Sequence, residues 1–191
     1  MVYVSHSLKT ARLELIPATL PMLEADRDDR GVLGLLLDAG IPGSWPPELV
    51  DDGTLADFIR MKKDASDPYF CSWYWILEDH VGMTRTLIGS SGTASCPGIP
   101  DAVMIGYSVL GDFRNRGYAT EAIRRLVPVI LSWPGIRRII ATTYPDLKAS
   151  IRVLEKSGFV PAGGRETGQG MEEGTVMYVL EAHDSGVPGR T

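Results

Sequence analysis

Hydrophobic and polar positions alternate with two different periods along this 191-residue chain, and the switches between them mark its elements. The helical period is sharpest at Ala119, Ala122, Ile123, Leu126, Val127, Ile130 and Leu131. These follow i, i+3, i+4, i+7 spacing and leave Glu121, Arg124 and Arg125 on the opposite face. Directly before this helix stands a β-branched and aromatic run at 105–110, part of a strand predicted over 102–110. Gly111-Asp112-Phe113 turns the chain, and the segment from Arg114 to Glu121 opens the helix. A strand therefore feeds a helix through a basic, glycine-containing loop.

The rest of the chain extends this pattern. Leu13 and Leu15, with Tyr3 upstream, alternate with polar residues as an opening strand that Pro17 ends. Leu20, Leu23 and Ala25 predict a helix over 18–29, and Val32, Leu35 and Leu36 a second over 31–39. Proline and glycine crowd 40–47, and a third helix follows over 48–63, weakened in its first half by Gly53. Aromatic and β-prone residues at 69–77 pair as a hairpin with 84–90 through a turn at Asp79-His80-Val81-Gly82, and 91–100 is a loop. Trp133-Pro134-Gly135 ends the long helix, and 136–144 is the next strand. Asp146 is placed to cap a helix over 147–157 with Gly158 as its stop, and strands at 159–162 and 175–180 close the chain. Residues 183–191 are expected to be a flexible tail after a single domain spanning 1–182.

Composition narrows the function. The net charge of −5 disfavours a nucleic-acid-binding face and suits a cationic substrate such as an amine. Cys71 and Cys96 belong to no spacing motif, and His6, His80 and His183 have no metal-ligand spacing, so no metal is expected. No leader and no apolar run of membrane-spanning length occurs, which makes a cytoplasmic protein without membrane contacts the expectation.

The strand-to-helix junction carries the chemistry. The first turn of a helix leaves backbone N–H groups unpaired in a region of partial positive charge, a ready site for phosphate. Gly117 and Ala119 leave room for close approach, and Arg114 and Arg116 add fixed charge. The segment 105–122 resembles motif A of the GNAT family of N-acetyltransferases, in particular the branch that modifies ribosomal-protein N-termini. The run from Pro145 through Ser150 and Leu154 to Phe159 resembles that branch's motif B, and Thr10-Ala11-Arg12-Leu13-Glu14-Leu15-Ile16-Pro17 resembles its first strand.

The resemblance implies a mixed α/β fold: a mostly antiparallel sheet with helices on both faces and two central parallel strands, here 102–110 and 136–144, that splay apart. It implies acetyl-CoA as co-substrate, gripped by the main chain of Ser108, Val109 and Leu110. Arg114, Asn115, Arg116, Gly117, Tyr118, Ala119 and Thr120 would hold its pyrophosphate, and Ser150 would lie at the thiol or pantetheine. It further implies direct transfer of the acetyl group to a primary amine, either a peptide or protein N-terminus or a small molecule, by a monomer or homodimer.

The chain also departs from the family pattern. Leu154 stands where many relatives have a tyrosine acid, Leu147 where the branch has asparagine, and Met104 where relatives often carry a carboxylate. Asp101 is nearby but on a loop edge. Glu172 and Glu173 are placed either at the substrate mouth or on a solvated turn, and Trp45, flanked by prolines, is a candidate for lining the acceptor site. Without a strong base, a lysine amine of pKa about 10.4 costs roughly 4–5 kcal/mol to neutralise at pH 7, against about 1–1.5 kcal/mol for an α-amine. That difference favours a low-pKa amine. The rival reading is an acyl-CoA-binding sensor or interaction module without turnover. A nucleotide hydrolase is disfavoured because no G-x-x-x-x-G-K-[ST] loop occurs.

Overall fold

The computed structural model describes residues 6–48, 50–79, 84–163 and 173–182. Its strands are β1 (Leu8–Lys9), β2 (Leu13–Pro17), β3 (Cys71–Glu78), β4 (Arg85–Ser95), β5 (Ala102–Val109), β6 (Arg138–Thr143), β7 (Val160–Pro161) and β8 (Val176–Glu181). They form one sheet in the order β1-β2-β3-β4-β5-β6-β8-β7. Each neighbouring pair is antiparallel except β5 and β6, which run parallel. The helices are α1 (Leu20–Asp28), α2 (Arg30–Leu37), α3 (Asp52–Asp64), α4 (Tyr118–Leu131) and α5 (Lys148–Lys156).

Burial follows from covering both faces. On β3, Trp73 and Trp75 join a core with Ala122, Ile123, Leu126 and Ile130 of α4, while Tyr74 and Ile76 join a second core with Leu23, Leu33 and Leu55 of α1–α3. An uninterrupted apolar run suits a strand buried on both sides. Three side-chain oxygens start the helices of the second layer: Thr19 accepts from the Met22 N–H, Asp29 from Gly31 and Val32, and Asp51 from Thr54.

Several boundaries differ from those the sequence predicts. The third helix begins at Asp52 rather than 48, because the Asp51 cap sets its start. Asp146 does not cap α5: Leu147 occupies the N-cap position, and the Lys148 N–H bonds the Asp146 backbone carbonyl at 2.8 Å. β4 runs on to Ser95, through serine, glycine and threonine that read as loop, because β3 and β5 pair with it on both sides. Tyr3, residues 80–82 of the expected turn and the tail at 183–191 lie outside the described residues.

The feature that positions the site is the short β5–β6 ladder. Only Ala102, Val103 and Met104 pair with Arg138, Ile139 and Ile140. Beyond them β5 stays paired with β4 as far as Val109, and β6 stays paired with β8 as far as Thr143. The facing edges of the two parallel strands therefore part after three residue pairs.

Candidate active site

The register with β4 decides which backbone groups line that gap. The Leu110 N–H donates to the Ile88 carbonyl at 2.9 Å, on the β4 side. Antiparallel pairing alternates, so Ser108 and Gly106 also turn their polar groups toward β4, whereas Ile105, Tyr107 and Val109 direct theirs into the gap. Of Ser108, Val109 and Leu110, only Val109 thus presents main chain to the opening. Its carbonyl accepts from Arg114 Nε at 3.1 Å, which ties the basic loop to the lip of the gap.

That loop passes through a short 3₁₀ turn (Gly111–Phe113) into α4. Asn115 and Gly117 both have left-handed backbone, with φ of 60° and 83°. Gly117 is the N-cap of α4 and its side of the loop is exposed, so the first-turn N–H groups of Tyr118, Ala119 and Thr120 open beside the gap. Arg114 also reaches Glu48 at 3.1 Å, and the Arg116 guanidinium lies 5.9 Å from the centre of the Phe113 ring.

Beneath the loop is a network that sequence reasoning missed. Glu121 accepts from Thr10 Oγ1 at 2.6 Å, from the Arg12 N–H at 2.8 Å and from Arg12 Nε at 2.7 Å. Arg12 also donates to the Arg116 carbonyl at 3.0 Å and stacks over the Tyr118 ring at 4.4 Å. Burial opposes ionisation of Glu121, but the bonds from Thr10 and Arg12 outweigh it and hold the carboxyl below its usual range. The helical spacing suggests a Glu121–Arg125 pair instead, yet Arg125 donates to the Lys9 carbonyl at 3.2 Å. Nothing in the local sequence signals the Arg12 contact, whose partners are more than a hundred residues away.

Across the gap, Ser150 sits in the first turn of α5, half-buried. Its hydroxyl lies 3.2 Å from the Tyr107 hydroxyl of β5. Leu147 is 44% exposed at the start of α5, and Leu154 is fully buried in the core, so neither supplies a polar group.

The candidate bases are placed unevenly. Met104 packs against an apolar cluster of Cys96, Ala102, Ile140 and Met177. Asp101 is bound to Arg138 at 2.5 Å, at the closed end of the strand pair, and this bond holds its carboxyl below the usual range. Glu173 is exposed, and Glu172 lies outside the described residues.

Trp45 departs from its expected surface position. It is 2% exposed, and its Nε1–H donates to Asp26 at 2.7 Å, while the Tyr74 hydroxyl donates to the same carboxylate at 2.8 Å. Burial pushes the Asp26 carboxyl up against the opposing effect of both bonds. The indole is a core residue because this buried acceptor and the Tyr74 ring hold it there. With Ser72 and Ser90 the three line a cavity of about 10 Å³.

On the face of β5 away from α5, Gly106 is exposed, and a Cβ there would meet nothing within 4 Å among the described residues. A gap between parallel strands, an exposed helix N-terminus beside it and an open Gly106 on the other face are an arrangement that can accept an extended, anion-bearing ligand next to a second molecule.

The comparisons agree with that class. The sequence model of the Acetyltransferase (GNAT) domain matches residues 23–160. The chain belongs to this acetyltransferase family. It is 27% identical over 157 residues to an uncharacterized N-acetyltransferase, YjdG of Bacillus subtilis, covering 80% of this chain and 89% of that one. Its fold matches RimL, a ribosomal alpha-N-protein acetyltransferase solved in complex with coenzyme A. That match has 17% identity and a TM-score of 0.60 and covers 92% and 98% of the two chains. Mycobacterium smegmatis RimJ, solved in complex with a coenzyme A disulfide, matches at 16% identity and a TM-score of 0.61, covering 97% and 91%. The fold expectation is met: the sheet is mixed and mostly antiparallel, with one parallel central pair and helices on both faces.

Proposed function

We propose that the protein transfers an acetyl group from acetyl-CoA directly to a primary amine of low pKa, a peptide or protein N-terminus or a small-molecule amine. The observation that carries this reading is the parting of β5 from β6 after three residue pairs, immediately beside the exposed N-terminus of α4. The residues fit a coenzyme A molecule. The N–H groups of Tyr118, Ala119 and Thr120 and the charge of Arg116 suit its diphosphate, and the gap-facing main chain of Tyr107 and Val109 suits its amide-bearing arm.

Bound acetyl-CoA supplies an activated thioester. Backbone N–H groups directed into the gap polarise its carbonyl, and the Ser150 hydroxyl hydrogen-bonds the sulfur. The acceptor amine enters over the bare face of Gly106. The apolar Met104 and the Arg138-bound Asp101 leave its proton to pass through water, which costs an α-amine less than a lysine.

The test is thiol release from acetyl-CoA with a panel of peptides, aminoglycosides and polyamines. Turnover with at least one low-pKa amine is expected, rising with pH toward the acceptor's own pKa. Coenzyme A binding without thiol release across the panel would identify a sensor or interaction module instead. Faster turnover on lysine ε-amines than on matched α-amines at neutral pH would remove the acceptor assignment.

A further inference from the structure

We propose that Tyr107 is a positioning residue for Ser150: its phenol sets the direction of the Ser150 hydroxyl proton, and so whether that proton is offered to the coenzyme sulfur. This rests on the reading above that Ser150 faces the thiol.

Tyr107 projects from one lip of the gap to the helix on the other. Its hydroxyl lies 3.2 Å from Ser150 Oγ and 3.2 Å from the Ser150 backbone carbonyl. The ring is held by Trp75, stacked at 6.5 Å and 20°, and Trp75 is itself fixed by an Nε1–H bond to Ser91 Oγ at 3.1 Å. A phenol has one proton and cannot serve both acceptors at once.

When Tyr107 donates to the backbone carbonyl, Ser150 donates to Tyr107 and its proton points away from the gap. When Tyr107 donates to Ser150 Oγ, the serine proton is released to another acceptor. Negative charge growing on the leaving sulfur favours the second arrangement, because hydrogen bonds to ionised acceptors are roughly twice as strong as neutral ones. Burial pushes the phenol up to about 12, so it remains a neutral donor at the pH of catalysis. No covalent bond of Tyr107 breaks. The device places on β5 the phenol that α5 lacks, since Leu154 is buried in the core.

The experiment is a titration of the thiol of coenzyme A bound to the protein, read by thiolate absorbance, in wild type, Y107F, S150A and the double variant. Each single variant is expected to raise the bound thiol's pKa by roughly one unit, a tenfold change in thiolate fraction. The double variant should match either single one. S150T, which keeps a hydroxyl, should retain the wild-type value only while Tyr107 is present. Turnover on the best amine of the panel should follow the same pattern in kcat, with KM for acetyl-CoA little changed.

A wild-type value in Y107F beside a shifted value in S150A overturns the proposal, as does an additive double variant. Unchanged values in both single variants, with coenzyme A still bound, overturn it by removing Ser150 from the thiol while the transferase reading stands. Failure of wild type to bind coenzyme A overturns both.

Discussion

Replacing Gly117 with alanine probes the cradle at the point where backbone geometry and ligand approach coincide. Gly117 holds φ 83° and ψ 2°, a left-handed conformation that costs an L-residue about 1–2 kcal/mol. The added methyl would meet only Arg12 Nη2, at 3.5 Å, which is ordinary contact, so the protein should fold with the backbone strain as its main penalty. For a chain of this length that corresponds to a melting temperature lower by roughly 2–8 °C.

The strain and the new contact with Arg12 both act at the N-cap of α4, beside the first-turn N–H groups proposed to meet a diphosphate oxygen. Coenzyme A affinity should then fall by roughly tenfold, equivalent to about 1.4 kcal/mol. Calorimetry with coenzyme A and with pantetheine separates local obstruction from general damage, because pantetheine lacks the diphosphate. The expected result is weakened coenzyme A binding with pantetheine binding unchanged. A folded G117A that binds coenzyme A like wild type would refute the cradle, and equal losses for the two ligands would refute its location.

Two further outcomes follow from the part-buried carboxylate of Glu121 and the buried one of Asp26. E121Q removes the charged acceptor of Thr10 and Arg12 and should cost about 1–3 kcal/mol at neutral pH by urea denaturation. Because the folded carboxyl is held below its usual value, this stabilisation is present above the unfolded pKa of about 4.3 and is lost as pH falls through the folded value. The gap between wild type and E121Q should therefore narrow on acidification, and a constant difference would contradict the linkage. D26A strands the Trp45 indole N–H and the Tyr74 hydroxyl, with an expected loss of roughly 2–4 kcal/mol in the same assay. A loss below about 0.5 kcal/mol would mean that other partners replace Asp26.

Local periodicity located the elements whose own residues carry a clear alternation of apolar and polar positions. The amphipathic stripe from Ala119 to Leu131 marks α4 correctly, and the branched and aromatic run before it marks β5. Long-range pairing set what remained. Whether Ser108 or Val109 faces the gap depends on the register with Ile88, which no local pattern encodes. Trp45 carries the proline-rich surroundings of a surface loop, but its hydrogen-bond partner comes from α1 and its packing from β3. Ser91 and Thr93 read as loop because small polar residues usually do, and they are buried in β4 because sheet neighbours flank it on both sides.

The brevity of the β5–β6 ladder has a mechanical consequence. Five strands lie on one side of it and three on the other, and the two half-sheets are stitched through three residue pairs. A ligand that bonds both lips occupies the place of a missing strand and completes the sheet's continuity. Amide exchange at Tyr107 and Val109 should then report occupancy more directly than any distant helix, because those are the groups for which the ligand substitutes as partner.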